Sequence, residues 1–206
     1  MANKIIKSLF NCCIAVLVLT GCSRDYTTYY ADTETPGVAI FSDKGNNIFT
    51  CFIDGRSWRT MDRVQRPFSP GISYEVTIRK FVTANTQDSL VISWEGFFSN
   101  NVKDPGAFSL SILVSKNFAY TDLTALEGKR VPIDGSHAFF TTNISGINPT
   151  GTLGKGNIFF KQLVLRQVSN NLYTGQMSGL LEADFNTFKV ASGRFDHTLD
   201  ERQVIL

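Results

Sequence analysis

From Ile72 onward, apolar side chains return at every second position, and that period commits most of the chain to extended structure. Ile72, Tyr74, Val76 and Ile78 alternate with Ser73, Glu75, Thr77 and Arg79, while Phe108, Leu110, Ile112 and Val114 alternate with Ser109, Ser111 and Ser115. Successive side chains of a strand point to opposite faces, so each run reads as a strand with one buried and one wet face. Similar runs span 90–98, 158–168, 175–185 and 190–198, and Asp54-Gly55, Asn100-Asn101, Asp104-Pro105-Gly106 and Asn170-Asn171 supply turns between them. The one helical signal is Thr121 to Glu127, where Thr121 or Asp122 can cap the free amides and Gly128 can end the turn.

No strand is followed by a long helix, which disfavours a parallel sheet and its phosphate-binding loops. The pattern predicts an all-β fold, an antiparallel β-sandwich or lipocalin-like barrel with one short helical turn near 121–127. A membrane-spanning barrel would need aromatic girdles and a lipid-facing band on strands of about ten residues, and the uneven strands here disfavour it. Apolar material is ample for one core, with 43% hydrophobic residues and 17 Phe.

The first 21 residues have a different character. Lys4 and Lys7 precede an apolar run from Leu9 to Leu19, the layout of an export signal too short to span a bilayer. Leu19-Thr20-Gly21-Cys22 resembles the lipobox of bacterial lipoproteins, in which small residues before the cysteine fit the signal peptidase and the thiol carries a diacylglyceryl group. That resemblance implies cleavage before Cys22, acyl chains on Cys22 and a location in the cell envelope, lipid-anchored, at the outer membrane. Each buried methylene contributes about 0.8 kcal/mol, so two or three chains anchor stably where one binds reversibly. The expected division is a signal peptide at 1–21, a lipidated tether at 22–47 and a single β-domain at 48–206. The tether is expected because 23–47 is polar and broken at Pro36-Gly37, with Tyr26, Tyr29 and Tyr30 free to lie on the domain or the lipid interface.

Cleavage alters the electrostatics. The chain has 20 Lys+Arg against 18 Asp+Glu, and both surplus positive charges are Lys4 and Lys7. The remaining 185 residues are neutral, which argues against a nucleic-acid module, since that needs a basic face. Of four cysteines, Cys12 and Cys13 leave with the signal and Cys22 is acylated, so Cys51 stands alone among apolar neighbours as a buried small hydrophobe.

Two further patterns carry a family resemblance. Phe49-Thr50-Cys51-Phe52-Ile53-Asp54-Gly55-Arg56-Ser57-Trp58 resembles the opening hairpin of a set of uncharacterised Bacteroidota lipoproteins, and 175–183 with 188–196, ending Gly193-Arg194-Phe195-Asp196, resembles their closing hairpin. The resemblance implies no catalytic residues.

Candidate chemistry is sparse. Asp134-Gly135-Ser136-His137 gathers an acid, a hydroxyl and an imidazole on one turn, but no oxyanion-hole elbow accompanies them. Asp196-His197 with Asp200 and Glu201 has no zinc-type spacing, so no metal and no cofactor are expected. Glu75, Glu95, Glu182 and Asp184 lie on strands, at positions that should face solvent. Trp58, Trp94, Tyr29 and Tyr30 form a candidate ligand platform, weighed against the commoner role of alternating aromatics as core. The leading expectation is a non-catalytic binding or assembly module held to the membrane by Cys22, with an envelope protein or glycan as partner and no nucleic acid. The alternative is a lipocalin-like carrier of an apolar small molecule, and a hydrolase comes last.

Overall fold

A computed structural model describes residues 27–61, 64–65, 72–73, 75–84, 86–144, 147 and 154–206. The expected signal peptide at 1–21, with Leu19, Thr20 and Gly21, and also Cys22 and Tyr26, lie outside the described residues. Among the described residues, thirteen strands and one helical turn follow one another: β1 Ile48–Ile53, β2 Arg56–Thr60, β3 Val64–Gln65, β4 Ile72–Ser73, β5 Val76–Phe81, β6 Asp88–Phe98, β7 Asn101–Val114, α1 Tyr120–Thr124, β8 Arg130–Ile133, β9 Ala138–Thr142, β10 Gly154–Ser169, β11 Leu172–Phe185, β12 Lys189–Leu199 and β13 Val204–Ile205. The fold is all-β, as the alternation predicts.

Following the hydrogen-bonded pairs leads back to the start: β12, β1, β2, β6, β5, β13, β11 and again β12 form a closed ring. The pairings are antiparallel except β13 with β5. Two arms extend this wall, β7 and β9 beyond β6, and β10 and β8 beyond β11, and the β8–β9 turn joins the arms. The ring surrounds a split within the wall, because β2 and β5 share the edge of β6 opposite β7, and β12 and β13 share the edge of β11 opposite β10; β8 and β9, each paired on one edge only, end the wall. The tight turns use the chemistry the sequence offers. Asp54 and Gly55 both have positive φ, as the mirror-image hairpin turn requires, and Asn171 does the same between β10 and β11.

Two local expectations are corrected. Asp104-Pro105-Gly106 is not a turn but a wide bulge within β7, since Phe98 pairs with Asn101 while Gly96 already pairs with Gly106. Proline has no N–H for the ladder, and a bulge tolerates that. The run from Ile72 to Ile78 is also not one strand: β4 pairs with β3 in a separate small sheet, and β5 begins only at Val76. The helical turn is shorter than expected, and Asp122 reaches back to accept the Ala119 N–H at 2.8 Å. Gly128 adopts positive φ and closes it.

Inward positions hold a continuous aromatic core. Phe49 lies 5.0 Å from Trp94, 5.1 Å from Phe108 and 5.7 Å from Trp58, ring centre to ring centre. Phe108 continues to Phe140 and Phe140 to Phe185, each at 5.4 Å, and Phe195 links Trp94 to Phe160 at 6.0 Å. These are the tilted and edge-on contacts that aromatic quadrupoles favour. The phenylalanines touch one another.

The segment expected to be a tether is instead, from residue 27 on, a clasp laid against the outside of the wall. Val38 and Ala39 are buried, and Ala31 bridges to Ala39. The Asp196 carboxylate accepts the amides of Lys44, Gly45 and Asn46 at 2.7–3.1 Å, a nest of N–H groups around one anion. Arg194 pairs with Asp32 and donates to the Ala39 carbonyl at 2.9 Å. The domain therefore begins well before residue 48.

Two of these ties are acid-labile. The Arg194 guanidinium, then the Glu34 amide, hold the Asp32 carboxyl below its ordinary value of 3.8, and the Lys161 ammonium does the same for Asp43 at 2.8 Å. A carboxyl whose folded value is lowered contributes stability above its unfolded value and loses it as the pH falls through the folded one. Limited proteolysis should therefore cut within 27–47 more readily as pH drops below 3.8, before the rest of the β-domain unfolds. Asp32→Asn should give faster cutting already at neutral pH. Equal cutting of variant and wild type would show that the pair does not hold the clasp.

Candidate functional site

The four aromatics of the candidate platform do not share a surface. Trp58 and Trp94 are completely buried within the core, whereas Tyr29 is 39% and Tyr30 56% exposed on the clasp. The reason is strand parity: Trp94 faces the same way as Leu90 and Ile92, and Trp58 the same way as Thr60, and all of these point inward. The tryptophans are thus corrected to core residues.

Tyr29 does line a hollow of about 290 Å³ on the outer face, together with Gly37, Ser57, Arg59, Phe97 and Ser99. The clasp and two strands build it. Ser57 and Arg59 stand on the outward side of β2, opposite Trp58, and Phe97 lies across from Arg59 on β6. The Arg59 guanidinium sits 5.0 Å above the Phe97 ring, and the Tyr29 hydroxyl donates to the Val38 carbonyl at 3.3 Å. Ser57 donates to the Gly37 carbonyl and its oxygen lies 3.0 Å from that of Ser99. Gly37 has φ of 105°, and a Cβ there would come 3.0 Å from the Phe52 ring, so only glycine lets the clasp pass this close. Aromatic faces, hydroxyls and one cation around a concave surface are what sugar recognition uses. Ser57 and Arg59 were legible in principle from the parity of Trp58; the contribution of the clasp was not.

The Asp134–Ser136–His137 turn brings all three groups together, but in the wrong order. The His137 Nδ1 lies 2.7 Å from Asp134 Oδ2 and 3.1 Å from Ser136 Oγ, so acid and hydroxyl compete for one ring nitrogen. A triad needs the imidazole to bridge the two through opposite nitrogens. Asp134 also accepts the amides of Ser136 and His137 at 2.9 and 2.8 Å, and these, the His137 amide first, hold its carboxyl far below the usual range. The geometry is that of an Asx turn closing β8 onto β9.

The strand carboxylates divide. Glu95, Glu182 and Asp184 face solvent, as expected, but Glu75 is completely buried, because the chain breaks before β5 and turns it inward. Its Oε1 lies 3.7 Å from Nδ1 of His197, which is equally buried, and 3.5 Å from the Gln203 amide. Gln203 also donates to the Val76 carbonyl at 3.0 Å, tying the C-terminal loop to β5. Neither ring nitrogen of His197, nor the Trp94 N–H, has a hydrogen-bond partner among the described residues.

Cys51 is buried and free, and burial pushes its thiol well above the ordinary range, so it is inert packing. Among the described residues no cluster of three His, Cys, Asp or Glu could hold a metal ion, and no helix is long and apolar enough to cross a membrane. No family model, no curated protein and no solved structure matches the chain.

Proposed function

We propose that this is a lipid-anchored protein of the cell envelope, attached at the outer membrane through acyl chains on Cys22, whose β-domain is a non-catalytic binding module for envelope glycans. The binding part is carried by the hollow at Tyr29, Ser57, Arg59, Phe97 and Ser99, which presents the Tyr29 ring, the Arg59 guanidinium seated on Phe97 and two serine hydroxyls at the scale of a sugar unit. The anchor rests on Leu19-Thr20-Gly21-Cys22 behind an export signal. The interlocked phenylalanines favour binding on the outside over the carrier alternative, and the shared nitrogen in the Asp134–Ser136–His137 turn disfavours the hydrolase.

The test has two halves. Fatty-acid labelling and fractionation should place the wild type in membranes with label, and Cys22→Ala should lose the label; label that survives the substitution refutes the anchor. A form starting at Ser23, screened on arrayed envelope glycans, should bind without releasing product, and Arg59→Ala should weaken binding about tenfold, or roughly 1.4 kcal/mol. Binding indifferent to Arg59 and Tyr29 would remove the hollow from the account and shift the reading to an envelope protein partner on another face. Product release abolished by His137→Ala would revive a hydrolase.

A further inference from the structure

We propose that the outer face around Val164, Val168, Ile205, Phe81 and Val82 rests in the interfacial layer of the membrane that holds Cys22, so that the domain lies against the lipid in one fixed orientation. This rests on the anchoring proposed above and adds which surface meets the bilayer. The five side chains are 40–80% exposed, an unusual concentration of large apolar groups on one end of an outer face.

They are neighbours by register. Val164 pairs with Gln176 of β11, and four residues along β11, about 13 Å at strand rise, Leu172 pairs with Ile205. Ile205 pairs with Arg79 of β5, two residues before Phe81, and Val82 follows. Val168 sits at the hairpin that leads into Leu172. Arg79 and Arg166 stand exposed among these apolar groups, where guanidinium groups can meet lipid phosphates.

The length of the link decides the occupant. Only residues 23–27 separate Cys22 from Thr28, whose amide donates to the Asn46 carbonyl at 2.8 Å. Asn47 in turn accepts the Thr198 amide at 2.8 Å, and Thr198 pairs with Gln176, the residue opposite Val164. The chain thus enters the domain at the edge of the apolar face. Six extended steps reach roughly 20 Å at most, so the acyl chains cannot be far from that face. A long leash would leave the domain free to tumble; this one does not.

The experiment places a fluorescent bimane on Val168→Cys or on Asn186→Cys, an exposed position in the turn at the far end of β11. Cys51 is buried and leaves the labelling selective. The acylated protein, cleaved before Cys22, is reconstituted into phosphatidylethanolamine and phosphatidylglycerol vesicles with brominated acyl chains, and flotation is scored alongside quenching. The expected result is flotation with loss of emission at 168 and none at 186. Flotation with equal emission at both sites, or loss at 186 alone, overturns the orientation and leaves the anchor intact. Failure to float overturns both.

Discussion

Replacing Phe49 by alanine is expected to destabilise the domain by about 3–5 kcal/mol, the range for removing a fully buried aromatic side chain. Phe49 is completely buried and contacts Trp58, Trp94, Phe108 and Phe195, rings supplied by β2, β6, β7 and β12. A smaller side chain leaves a void that close-packed rings on four strands cannot refill without moving the wall. The backbone cannot shift freely either, since the Phe49 N–H donates to the Thr60 hydroxyl at 2.9 Å. Single domains are stable by roughly 5–15 kcal/mol, so the variant should keep its fold with a much lower urea midpoint and an unchanged slope. A loss below about 1 kcal/mol would mean that the rings are loosely packed and the core holds spare volume.

The second large effect belongs to the buried pair. Glu75→Leu and His197→Leu should each cost about 3–5 kcal/mol, because each strands a polar or charged partner in a dry interior. The double variant Glu75→Leu/His197→Leu should cost far less than the sum, since it removes both groups and replaces them with apolar side chains. Gln203 makes the cycle sharper: its amide faces both Glu75 and the Val76 carbonyl, so the Glu75 variant should also loosen the C-terminal loop that carries β13. Urea midpoints of the four proteins measure the coupling. Additive single costs would show that the two side chains do not interact, despite the 3.7 Å between them.

Alternation alone located β6, β7 and β10 to β12, because each keeps one wet face and one face on the core. Trp94 shares parity with Leu90 and Ile92, and that alone places it inside. What alternation could not show is where a strand breaks. Glu75 belongs by period to a solvent face, yet contacts with His197 and Gln203, from the other end of the chain, turn it into the interior. The clasp was hidden for a similar reason. Its residues are polar, and what fixes them is the Asp196 carboxylate, 150 residues from the Asn46 amide it accepts. A local reading of Ser23 to Asn47 sees composition and cannot see that partner. The hollow at Tyr29 depends on the same clasp, so only its strand half, Ser57, Arg59 and Phe97, is accessible from sequence.

Native mass spectrometry of the form starting at Ser23, purified from cells in non-detergent buffer, tests most directly whether the interior belongs to the protein's own side chains and leaves binding to the outer face. The expected spectrum shows the mass of the bare chain, with nothing stripped as collision energy rises. An apolar molecule retained at one per chain, and lost only on unfolding, would contradict the aromatic core and make the domain a carrier.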